Sequence, residues 1–112
     1  MYRNYIKNIE HEAILSLAKQ VQIQSGHVVS KTLAQNEGVS IALFAFDKYE
    51  EMGAHKSHGD AMVTVLEGTG IFTVGGNEYT VAAGQTLIMP ANVSHSGYAK
   101  ESLKMLLVVV FQ

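Results

Sequence analysis

GAHKSHGDAMVTVLEG (residues 53–68) and GQTLIMPANVSH (residues 84–95) are the stretches that decide how this chain folds. Each joins a short run of strand character, Ala61–Leu66 in the first and Thr86–Met89 in the second, to glycine breaks and to histidine. Val, Ile and Thr are stiff at χ1 and pack well on a pleated surface, which favours strands. Glycine tolerates positive φ, so Gly53, Gly68 and Gly84 fall where a chain of strands has to turn.

Outward from these stretches the same texture continues. Further strands are expected at Val21–Gln24, His27–Ala34, Val39–Asp47, Ile71–Val74, Glu78–Val81, His95–Ala99 and Leu103–Phe111. Gly75-Gly76-Asn77 is the best hairpin signal. Many short strands without intervening helices point to a sandwich, a jelly roll or a barrel. The last run is apolar on both faces after Lys104, so one face belongs in a core and the other needs cover from the N-terminal helix or a second subunit. That requirement leads to the expectation of a homodimer. Between Asn8 and Gln20, apolar Ile14, Leu15, Leu17 and Ala18 fall near helical spacing, with Asn8 as a possible N-cap and Glu10 and Glu12 in the first turn. The expected organisation is a short N-terminal helical segment over 1–20 and an all-β barrel over 21–112.

Composition narrows the function. The 112 residues leave room for one domain, and 47% apolar with 16% charged residues suits a globular core. The formal net charge is −2 and the eight Lys and Arg are scattered, so no basic stripe is present to hold a phosphate backbone, and nucleic acid is not an expected partner. With no cysteine, disulfides and thiolate chemistry are excluded, leaving His, Asp and Glu as the good metal ligands. The opening residues lack a signal-type apolar run, and no run approaches membrane-spanning length, so the expectation is a cytoplasmic protein without membrane contact. A nucleophile elbow, a phosphate loop and a dinucleotide fingerprint are all missing.

The two opening stretches resemble the paired motifs of the cupin family, over roughly Val39 to Phe111. Gly84, Pro90, Asn92 and His95 occupy the positions of the second motif, with asparagine in place of a glycine and therefore still tolerant of left-handed backbone. The first motif keeps His55 and Gly68, whereas Ser57 stands at its second histidine position and Ala61 at its glutamate position. His58 and Asp60 lie one residue from those vacancies. The resemblance implies a cupin-type double-stranded β-helix, or jelly-roll, barrel. It also implies a barrel site where a divalent transition metal (Zn, Ni, Fe, Mn or Cu) would be held.

His55, His58 and His95 are the expected metal ligands. Side chains alternate along a strand, so His58 would point away from His55 unless a bulge intervened, and Gly59 is suited to one. Asp60 could join the site or simply cap a turn. His11 and His27 are left outside it. Phe44, Phe46, Met62, Met89, Tyr98 and Met105 are read as core or pocket wall. Two functions follow from the resemblance. One is a metal-dependent enzyme, an oxygenase or isomerase acting on a small oxygen-rich molecule. The other is a non-catalytic module that binds or senses a small ligand around a degenerate metal site.

Overall fold

The computed structural model describes residues 5–111. Nine strands run in chain order: β1 Val28–Gln35, β2 Val39–Phe46, β3 Glu51–His55, β4 Asp60–Glu67, β5 Thr69–Val74, β6 Asn77–Ala82, β7 Thr86–Met89, β8 His95–Ala99 and β9 Leu103–Val110. They form two antiparallel sheets, ordered β1-β2-β9-β4-β7 and β3-β8-β5-β6. The fold is the expected all-β jelly-roll barrel. Its core lies between the sheets, where alternation on β2, β4, β5 and β9 turns Phe46, Val63, Val65, Phe72, Leu103 and Met105 inward. The β5–β6 hairpin turns where Gly75 and Gly76 adopt φ of 56° and 90°, a conformation with no penalty for glycine.

The helix expected over Asn8–Gln20 does not form. Asn8 and Glu12 adopt left-handed φ of 64° and 56°, which interrupts any α-helical run, and only a 3₁₀ turn at Leu17–Gln20 remains. Tertiary packing outweighs the local pattern here. Ile9, Leu17, Val21 and Ile23 lie along the outer face of the five-stranded sheet and cover Leu33, Leu43, Ala45 and Leu106. Ile14, one of the residues that suggested a helix, is fully exposed. Hydrogen bonds fasten this cover: Lys7 N–H donates to the Leu33 carbonyl at 2.7 Å, and the Lys104 ammonium donates to the Ala18 carbonyl at 2.7 Å. The second face of β9 is therefore covered, over part of its length, by the chain itself. The stretch Val21–Gln24 takes no strand partner. Among the described residues no helix is long and apolar enough to cross a membrane.

One strand was not legible in the sequence. β3 is a short edge strand whose pairing with β8 is irregular between Met52 and His55. It fixes the position of the first site histidine.

Candidate functional site

Pairing of β3 with β8 sets His55 directly opposite His95 at one mouth of the barrel. Their Nε2 atoms stand 3.0 Å apart and their rings meet edge to face, with centroids 4.2 Å apart and an interplanar angle of 68°. Each Nδ1 faces a backbone carbonyl, that of Gly53 at 3.1 Å from His55 and that of Val93 at 3.3 Å from His95. A carbonyl only accepts, so each Nδ1 is placed to donate, while the two Nε2 atoms stand at hydrogen-bond distance from each other. Both Nε2 atoms face one gap. Burial, together with the neighbouring charge of His55, pulls His95 below the usual histidine range, against a smaller opposing effect of the Val93 carbonyl. The neutral imidazole is accordingly the favoured form of His95.

Beneath this pair the lumen is apolar and nearly full. Phe46, Met52, Phe72, Met89, Met105 and Leu107 line a cavity of about 20 Å³ together with the two imidazoles. That is room for about one water-sized guest. Gly70 and Gly97 make space for the Phe72 ring: a β-carbon on Gly70 would lie 2.7 Å from that ring, and one on Gly97 3.2 Å from it.

His58 is not brought to this point. β3 ends at His55, and the connector that follows is bound to the turn before β8, where Asn92 N–H donates to the Ser57 carbonyl at 2.7 Å. Gly59 does not bulge inward. It is pressed against β9, where a β-carbon would meet the Val110 carbonyl oxygen at 2.4 Å. The irregularity that matters lies earlier, between Met52 and His55, and it lets both of those side chains line the lumen although an odd step separates them. His58 instead lines an open groove of about 320 Å³ with Asp60, Ala91, Val110 and Phe111. Asp60 is taken up by the fold, accepting from the Ala91 N–H at 2.8 Å. His11 and His27 are exposed and do not line the cavity of the pair.

The donor set for a divalent ion in the family manner is not assembled. Ala61, at the glutamate position, is a buried core residue, and the Ser57 hydroxyl accepts from the Gly59 N–H at 3.2 Å. Among the described residues no three His, Asp or Glu side chains converge on a common point. Two imidazoles alone fall short of the three or four protein ligands of a tight site. Met89 and Met105, expected as core or pocket wall, line the lumen with the histidines, and Met52, which no sequence signal singles out, joins them. Met62, grouped with them, faces outward and is 39% exposed.

Comparison with known proteins agrees with this architecture. The cupin-domain family profile matches residues 42–111. A conserved protein of unknown function from Streptococcus pyogenes is 45% identical with a TM-score of 0.96, covering 98% of this chain and 96% of its own. A cupin superfamily protein from Desulfitobacterium hafniense is 28% identical with a TM-score of 0.91, covering 96% of this chain and 98% of its own. A cupin-2 conserved barrel domain protein from Leptotrichia buccalis is 38% identical over 86% of this chain, which spans 47% of that longer one, with a TM-score of 0.84. No curated protein matches. Motif spacing, barrel topology and a matched profile over more than half of its length converge on one assignment: the chain belongs to the cupin family.

Proposed function

We propose that this cupin is a binding module without turnover, and that its guest sits at the paired Nε2 atoms of His55 and His95. The observation that carries the reading is the 3.0 Å separation of the two Nε2 atoms over a lumen of about 20 Å³. Such a lumen admits no organic substrate, since small-molecule sites usually enclose about 300–1,000 Å³. An enzyme built on a divalent ion would need a third protein ligand, and Ala61 and Ser57 stand where the family motif has two of them.

The test is dialysis of untagged protein against Mn(II), Fe(II), Ni(II) and Zn(II) in turn, followed by elemental analysis. Each metal is expected at well under one equivalent per chain. A full equivalent of any one of them, lost in His95→Ala, would overturn the reading and restore the metalloenzyme.

The chain is also proposed to pair as a homodimer. Met62 is flanked in register by Ile88 on β7 and Val108 on β9, and the first two are 39% and 54% exposed on the outer face that the N-terminal segment leaves open. Sedimentation should give a dimer at micromolar concentration; a clean monomer would refute the pairing.

A further inference from the structure

We propose that the guest is a soft monovalent cation of the Cu(I) class, held by Nε2 of His55 and His95 and by thioether sulfur from Met52, Met89 and Met105. The inference rests on the reading of this barrel as a binding module and names what it binds.

Three observations lead there. The first is the bonding of the histidines. Each Nδ1 faces a carbonyl, at 3.1 Å for His55 and 3.3 Å for His95, which orients the opposite nitrogen outward as an acceptor. This is how ligating histidines are usually held, with the far N–H fixed on a backbone carbonyl. Two such lone pairs 3.0 Å apart repel unless something electron-poor lies between them, a proton or a metal ion. Two nitrogens on one ion at about 2.0–2.1 Å stand about 2.8–3.4 Å apart for ligand angles between square and tetrahedral, so small ring rotations suffice.

The second is the kind of donor beside them. Met52, Met89 and Met105 line the same cavity, and no carboxylate does. Methionine commonly fills gaps in cores. Here Met52, Met89 and Met105 line the cavity that the two imidazoles also line, and thioether sulfur favours Cu(I) over the harder divalent ions.

The third is charge. The whole donor set is neutral and the walls are Phe46, Phe72 and Leu107. The cost of burying an ion grows with the square of its charge, so a divalent ion with uncompensated ligands costs about four times as much as a monovalent one. The glutamate that would compensate a divalent ion in the family motif is Ala61 here. The cavity of about 20 Å³ suits one bare ion, and the exposed side of His55 leaves a way in from solvent.

The experiment uses the full chain, untagged and anaerobic. Cu(I) is supplied as its acetonitrile complex against bicinchoninate as competitor, with methyl-labelled methionine as a reporter and Zn(II) in a parallel titration. One equivalent of Cu(I) should bind, X-ray absorption should record both nitrogen and sulfur neighbours, and the methyl signals of Met52, Met89 and Met105 should move. The Met62 signal, on the outer face, should stay. The double variant Met89→Leu/Met105→Leu, close to volume-conserving and checked for folding by thermal melting, should lose at least tenfold in Cu(I) affinity.

Cu(I) bound with nitrogen neighbours only, or unaffected by the double variant, would overturn the thioether site yet leave a guest at the histidines. No Cu(I) bound at all, with the histidines bridged by a proton, would overturn the cation proposal. Zn(II) bound at one equivalent would overturn the binding-module reading itself.

Discussion

His55 and His58 are three residues apart in the chain, and they finish in different surroundings. His55 closes the lumen against His95, above packed phenylalanine and methionine, while His58 lines an open groove with Asp60, Val110 and Phe111. The division falls on the connector from β3 to β4. Gly59 lies so close to β9 that the chain cannot swing inward, and Ser57 is bound to the turn at Asn92. In this barrel the order of residues in a motif says less about a site than the point at which a strand stops pairing.

The contrast between a filled lumen and an open groove breaks most decisively at Phe72, which is 3% exposed beneath the histidine pair. Phe72→Ala should destabilise by about 3–5 kcal/mol in urea unfolding, through lost burial and a new cavity. If the lumen is as closed as described, the variant should also take up a small apolar molecule such as benzene, which the parent excludes. Gly59→Ala comes next. Its β-carbon would lie 2.4 Å from the Val110 carbonyl oxygen, and about 2–3 kcal/mol of destabilisation is expected as the connector is forced off β9. A change within about 0.5 kcal/mol would mean that the connector is free to move, and the separation of His58 from His55 would lose its cause.

A smaller effect concerns acid. The folded state holds His95 below its ordinary value, so between that lowered value and about 6.5 the unfolded chain binds more protons than the folded one. Stability should therefore fall as pH drops below about 6.5 and level off once His95 is protonated in both states. His95→Gln should remove this component from the pH profile. An unchanged profile in that variant would show that another group causes the loss. The smallest expected effect is at His58, where His58→Ala should stay within about 0.5 kcal/mol of the parent and leave the ring signals of His55 and His95 in place. Movement of those signals would join the two regions that the structure separates.

The parts of the molecule that the sequence discloses are those governed by local chemistry. Asn92 replaces a motif glycine and adopts φ of 65°, as a residue tolerant of left-handed backbone should. Eight of the strands lie close to runs visible in the sequence, since alternation on a half-buried sheet writes itself into residue order. β3 escapes because Glu51–His55 is an exposed edge with glycine at its centre and an irregular register, so it carries no alternation to read. The helical spacing of Ile14, Leu15, Leu17 and Ala18 misleads because the outer sheet face offers Leu17 a better partner than a helix of its own. In the site, His55 and His95 were legible from motif spacing. Met89 and Met105 were legible as core or pocket wall but Met52 was not, because which side chains a closed barrel gathers around one cavity is not recorded in sequence distance.

The sheet order β1-β2-β9-β4-β7 places the last strand made between two made long before it. During synthesis β2 and β4 have no common neighbour until Val110 is added, so the five-stranded sheet cannot zip up progressively as the chain emerges. Its closure is a single late event joining distant segments, and folding times of about milliseconds to seconds are typical of such non-local pairing. Until that moment β2 and β4 lack the strand they share, so the strands carrying Leu43, Val63 and Val65 keep an unpaired edge, and this newborn barrel depends on a fast finish to escape its own stickiness.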